Sequence, residues 1–227
     1  MRVGSLFSGI GGLELGLERA GMEVAWQVEN DPFCNRVLEK HWPNVTRYGD
    51  IEGVNTTILP SVDLVCGGFP CPVVSQAARG RNNAEWLWPH FWRIVHNTRP
   101  AYVVLEKVPG LLYSGRGFGD ILGDLAFSGY DATWNVFPAS AFGAPHRRSR
   151  VWLVAYADRD REPDLSIDAE ASELSEFRPT FWERADLPGS VRVDDGLRDH
   201  VDRNRALGNA VVPQVSEWIG RRIMEVT

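Results

Sequence analysis

In the stretch GGFPCPVVSQAARG, residues 67–80, a single cysteine stands between two prolines, directly after a glycine and a phenylalanine. Each proline fixes its own φ and pushes the residue before it out of helical space, so Pro70 and Pro72 hold Cys71 in an extended, rigid loop. A thiol that only fills core volume needs no such backbone. The arrangement suits a nucleophile that must meet its reactant from one direction. The plainer reading is a tight turn that contains a cysteine. The other two cysteines, Cys34 and Cys66, fall in an amphipathic stretch and at the end of an apolar run, where buried free thiols are common. An odd count with no CxxC pair argues against a disulfide framework or a zinc site, so no metal is expected.

A second candidate is LFSGIGGLELG, a strand, a glycine turn and a helix start. Such a turn lets a cofactor approach the backbone at a helix N-terminus. Glu29 ends the following strand, about twenty residues on, where a carboxylate can bond ribose hydroxyls. A nicotinamide enzyme satisfies this pattern equally well, and so does a glycine turn with no ligand.

These groups have to be positioned by something, and the chain alternates short apolar runs with amphipathic stretches in the manner of a parallel α/β sheet. Strands are expected at 2–7, 23–29, 62–68, 101–106, 132–139 and 150–155, and helices through GLELGLERAG, DPFCNRVLEKHW, 87–100 and 212–226. Asp31 is the expected N-cap of the second helix, with Pro32 at its first position. Trp88, Phe91, Trp92 and Val95 share one face of the third, which reads as core packing and not as a base-stacking platform. From about Tyr156 the periodicity fails. The reading is a catalytic and cofactor-binding domain over 1–155, a short insert over 156–202, and a C-terminal segment, 203–227, that returns to the first domain.

At 227 residues the chain can bury a substantial core. No stretch has the length and apolarity of a membrane span, and the N-terminus reaches glycine too early for a signal peptide. No membrane partner is expected, and the expected location is the cytoplasm. The net charge of −6 argues weakly against nucleic acid, but residues 158–176 alone carry eight acidic and two basic side chains. The remainder is neutral overall and can present a basic face. That acidic run reads as a solvated loop or a small subdomain.

Five segments then occur in order: LFSGIGG, GGFPCPVVSQA, VLEKVPGLL, GAPHRRSRVWLVA and RNRALGNAVVPQVSEWIG. Together they resemble the motifs of the cytosine-5 DNA methyltransferases, roughly FxGxGG, GGxPCQxFS, ENV, QRRxR and GNxVxP, over residues 1–155 and 203–220. The resemblance implies a Rossmann-like fold for S-adenosylmethionine-dependent methyl transfer, with a mostly parallel sheet and helices on both faces. It implies DNA as substrate and S-adenosylmethionine as cofactor. Cys71 would add to C6 of a flipped cytosine, Glu106 would bond N3, Arg150 would contact O2, and Arg148 would organise the loop and a nearby phosphate. Phe7, Gly9, Gly11, Ile51 and Pro70 would line the cofactor pocket, with Glu29 on the ribose and Asp50 on the adenine amino group. Asn209 and Val211 would close it from the C-terminal side.

The match breaks at four places. Pro72 replaces the Gln after the nucleophile, Val74 a Phe, His146 the Gln of the arginine block, and Lys107 the Asn after the catalytic Glu. An ammonium at Lys107 needs a negative partner. Glu106, a DNA phosphate or an anionic group on the cofactor would serve, and the last choice would imply a carboxylated S-adenosylmethionine and transfer of carboxymethyl. The rival readings are that reaction, action on RNA, and a catalytically silent DNA-binding relative. The short insert offers few side chains for groove readout, so a short recognition sequence is expected unless a partner chain supplies the reading surface.

Overall fold

A computed structural model describes residues 1–70, 86–113, 117–157 and 206–227, together with 167, 168, 174 and 202. Its centre is a seven-stranded sheet built from β1 (Arg2–Leu6), β2 (Glu23–Val28), β3 (Thr46–Tyr48), β4 (Leu64–Gly67), β5 (Tyr102–Lys107), β6 (Tyr130–Pro138) and β7 (Ser149–Ala157). The spatial order is β3-β2-β1-β4-β5-β7-β6. The first five strands run parallel, whereas β7 is antiparallel to both β5 and β6. This is the mostly parallel sheet that the sequence predicts.

The central strands are near-continuous apolar runs because both faces of the sheet are covered. All of β4 and all of β5 are buried. Alternate residues serve opposite faces. Val103 and Leu105 join a core with Phe91, Ile94 and Leu125, while Tyr102 and Val104 join one with Leu17, Trp218 and Ile219.

The helices are α1 (Gly12–Arg19), α2 (Pro32–His41), α3 (Trp88–Thr98), α4 (Phe118–Phe127) and α5 (Pro213–Glu225). The predicted cap of α2 is present: Asp31 Oδ1 accepts from the amides of Phe33 and Cys34 at 2.9 and 3.0 Å, with Pro32 opening the helix. On α3, Trp88, Phe91 and Val95 are fully buried and Trp92 partly so, as expected of a core-facing stripe. Helix α5 returns along α1. A Cβ added to Gly16 would lie 2.0 Å from Ser216 Oγ and 2.2 Å from the Pro213 carbonyl, so only glycine allows this approach.

The strand expected to run through residue 7 stops at Leu6, because Phe7 turns to a φ of 56°. One strand and one α-helix have no counterpart in the sequence reading. Strand β3 is three residues long, and α4 carries Gly119 and Gly123, which weaken its helical signal. Most of the 156–202 insert lies outside the described residues. Ile167 and Leu174, both within or beside its acidic run, are buried in the core that holds Trp218, so the run does not act throughout as a solvated loop.

Candidate active site

The candidate groups converge because the parallel strands end on one edge of the sheet. In such folds ligands bind beyond the carboxyl ends of the strands. The glycine turn follows β1, Glu29 follows β2, Phe69 and Pro70 follow β4, and Glu106 is the last residue but one of β5. Strand β7 runs the other way, so its first residues arrive at that same edge. Glu106 pairs in register with Trp152, and Lys107 with Val151.

The turn after β1 is shaped from below. Gly9 and Gly11 adopt φ values of 57° and 84°. A Cβ at Gly11 would meet the Trp42 ring at 2.3 Å, whereas one at Gly9 would meet nothing within 4 Å. The turn is thus packed on one side and open on the other. Glu29 braces it, its carboxylate accepting from the Gly9 amide and the Asp31 amide, each at 2.7 Å. A carboxylate oxygen can accept a further bond, so ribose hydroxyls can still be received there. Asp50 is exposed and caps a short helical turn by accepting from the Glu52 amide at 3.1 Å, while the Ile51 side chain is buried. Arg93 of α3 fixes that turn, donating at 2.8 Å to the carbonyls of both Ile51 and Val54. No sequence signal pointed to Arg93.

Glu106 is almost wholly buried. Arg150 Nε lies 2.8 Å from its Oε1. Burial pushes the Glu106 carboxyl above the ordinary carboxylate range, and the charges of Arg150, Lys107 and Arg148 pull against that rise without cancelling it. Burial and the charge of Arg150 hold the Arg148 guanidinium below its usual value, although Glu106 opposes them. Arg148 Nη1 donates to the Gly208 carbonyl at 2.6 Å and so ties the arginine block to the GNAVVP segment. Gly68 lets the carboxylate come close to the loop stem, since a Cβ there would lie 3.1 Å from Glu106 Oε2.

Glu106, Arg148 and Arg150 line a small cleft open to solvent, together with Trp152, Val211 and Val212. Val211 reaches both sites, because its carbonyl also lies against Gly12 at the start of α1. Asn209 is exposed. Trp152, missed in the sequence, shares the Arg150 face by strand alternation, and that i, i+2 spacing could have found it.

Lys107 is not among the residues of the cleft wall. Consecutive strand residues point to opposite faces, and this ammonium lies over the Phe69 ring with Nζ donating to the Phe69 carbonyl. The structure therefore gives Lys107 a partner absent from the three considered above. Phe69 is itself an aromatic hub, 5.2 Å from Trp86, 5.8 Å from Trp88, 6.0 Å from Phe91 and 6.3 Å from Phe7 between ring centroids. Residues 71–85 leave from Pro70 and return at Trp86, so this cluster clasps both stems of the loop that carries Cys71. Cys71, Pro72 and Val74 themselves lie outside the described residues.

No helix among the described residues is long and apolar enough to cross a membrane, and no group of three or more His, Cys, Asp or Glu side chains among them could hold a metal ion. Type II methyltransferase M2.BsuMI of Bacillus subtilis (strain 168) is 34% identical over 99% of this chain and 76% of its own length. Type II methyltransferase M.MspI of a Moraxella species is 30% identical over 88% of this chain and 50% of its own. The chain thus spans about half the length of some curated relatives it matches. A solved structure assigned as a DNA modification methyltransferase encoded within an E. coli prophage superposes with a TM-score of 0.60 at 28% identity, covering 73% of this chain and 50% of that one. The S. pombe Dnmt2 methyltransferase shares the fold at 19% identity, with a TM-score of 0.59 over 74% of this chain and 52% of its own. The family profile described as C-5 cytosine-specific DNA methylase matches residues 1–190, and the chain belongs to that family.

Proposed function

We propose that the protein is a DNA (cytosine-5)-methyltransferase that works through a covalent adduct between Cys71 and a flipped cytosine. The observation that carries this reading is the pairing of Glu106, whose carboxyl burial pushes upward, with Arg150 at the wall of a cleft, beside Pro70 at the stem of the Cys71 segment. The residues of the glycine turn fit S-adenosylmethionine. Gly9 faces open space, and the Glu29 carboxylate stands beside it. Phe7, Gly11, Asp50, Ile51, Pro70, Asn209 and Val211 would complete that site. Bound there, S-adenosylmethionine supplies an electrophilic methyl group.

Cytosine C5 is a poor nucleophile in the aromatic ring. The Cys71 thiolate forms a bond to C6, and the C5–C6 π pair moves into the ring toward N3. Glu106 donates a hydrogen bond at N3 and stabilises that charge, and Arg150 receives O2. C5 would then bond the methyl carbon as that carbon's bond to the sulfonium sulfur breaks, the electron pair staying on sulfur. Loss of the C5 proton to a base and departure of the Cys71 sulfur restore the aromatic ring. Neither face of C6 is reachable in a stacked duplex, so the base must leave the helix. Lys107 orients the loop stem through the Phe69 carbonyl, two residues before the nucleophile. That ammonium bonds the Phe69 carbonyl, lies over the Phe69 ring and acts on the charge of Glu106, so its place is accounted for without a carboxylate on the cofactor. Methyl is therefore the group we assign to the transfer.

The test is capture on DNA containing 5-fluorocytosine, whose fluorine cannot leave as a proton. Wild-type protein should form a denaturation-resistant adduct that requires S-adenosylmethionine, and Cys71→Ser should abolish it while cofactor binding is retained. Adduct formation by Cys71→Ser would sink the assignment.

A further inference from the structure

Glu14, in the first turn of α1, is completely buried, and neither of its carboxylate oxygens has a hydrogen-bond partner among the described residues. Gln27 of β2 is equally buried, and both polar atoms of its amide are unpartnered. Ser5, Ser8 and Gln27 are the polar side chains within reach of Glu14, yet none of them meets it in hydrogen-bond geometry. The hydroxyls of Ser8 and Ser5 bond each other at 2.9 Å. Cys66 of β4 is the titratable group that faces this cluster, and no charged side chain acts on Glu14.

Buried polar atoms left in this state cost stability unless something fills their bonding capacity. The donor and acceptor set decides what that is. A cation would satisfy the oxygens of Glu14 and Gln27 and leave Gln27 Nε2 without an acceptor. Water both donates and accepts, and buried waters make about three bonds each to groups of this kind. Burial pushes the Glu14 carboxyl upward, and in its protonated form it offers one donor and one acceptor to the same network.

We propose that Glu14, Gln27, Ser5 and Ser8 form an internal site for ordered water beneath the glycine turn, and that Glu14 is thereby a positioning residue for the cofactor. Ser8 belongs to that turn. Its amide donates to Val28 O at 3.2 Å, its carbonyl accepts from the Gly11 amide at 2.9 Å, and the next residue, Gly9, is bonded to Glu29. The hydration site thus holds the turn from below while Glu29 holds it from beside. This inference rests on the reading that the glycine turn binds S-adenosylmethionine.

The experiment combines a high-resolution crystal structure of the wild-type protein with calorimetric binding of S-adenosylhomocysteine to wild type, Glu14→Gln and Glu14→Leu. Density for water bridging Glu14 and Gln27 is expected. Glu14→Gln should bind within about twofold of wild type, since it preserves the donor and acceptor, whereas Glu14→Leu should bind about tenfold more weakly. Its turnover at saturating S-adenosylmethionine should stay within about twofold. A direct Glu14–Gln27 bond with no water between them, or undiminished binding by Glu14→Leu, would overturn the proposal. Should Glu14→Leu not fold, the wild-type density still decides the site, and Ser8→Ala decides the link to binding with an expected loss of about threefold. Wild-type protein that binds no S-adenosylhomocysteine would defeat the proposed function, while the density would still decide the water site.

Discussion

Glu14 and Glu106 are both carboxylates taken out of water, and burial raises the pKa of each. Their surroundings differ. Glu14 lies sealed between α1, β1 and β2, with hydroxyls and an amide near it and no cation. Glu106 ends β5 at a cleft wall, with Arg150, Lys107 and Arg148 all acting on it. The first carboxyl has no substrate to meet and can serve as a neutral polar group. In the proposed function the second keeps a proton and yet stands close to compensating charge, so that it can share hydrogen-bonding with an incoming base. Burial supplies the tendency to hold a proton in both cases. The cations beside Glu106 limit that tendency and make the group responsive.

Removing the nearest cation should break this difference most severely. Arg150→Ala is expected to lower kcat by about a hundredfold, within the range for a lost acid–base or charge contact. It should also move the alkaline limb of the pH–rate profile to higher pH. The sign follows from the direction of the pull: Arg150 lowers the Glu106 pKa, so its loss lets Glu106 keep its proton further into the alkaline range. A limb that stays in place would show that Arg150 does not govern the protonation of Glu106.

Lys107→Met tests the weaker, indirect cation. The ammonium lost from the Phe69 carbonyl should slow turnover by about tenfold while binding of S-adenosylhomocysteine is unchanged, and the alkaline limb should shift up by less than in Arg150→Ala. A large loss of cofactor affinity instead would place Lys107 in the cofactor site.

The smallest effect is expected at the sealed carboxyl. Glu14 has a folded pKa above its unfolded value, so its protonated form contributes stability that is fully present below about 4.5 and is lost as pH rises through the folded pKa. Glu14→Gln cannot ionise. Its melting temperature should therefore exceed that of wild type by a few degrees, about 2–4 °C at pH 8, with the gap closing at pH 5. Parallel melting curves at the two pH values would remove Glu14 as the source.

Much of the site was legible in the residues. The glycine turn, the strand-end Glu106 and the arginine block carry their signals in local backbone chemistry and spacing, and they mark the same motifs wherever the chain places them. The Asp31 cap was legible for the same reason, since a cap is set by four consecutive residues. Strand β3 and helix α4 were not, because three residues carry no periodicity and two glycines dilute a helical pattern.

What the sequence determined by itself was the set of chemical groups and the strands and turns that present them. Which groups meet was decided by the tertiary structure. The reversal of β7 brings Arg148 and Arg150 to the end of β5, across a separation in sequence that no local pattern spans. The pleat of β5 sends Glu106 to the cleft and its neighbour Lys107 to the opposite face, onto Phe69. Burial, which sets the protonation of both Glu14 and Glu106, exists only once the sheet and its helices have closed around them. A carboxylate in an extended chain is solvated whatever its neighbours, and only packing removes that water.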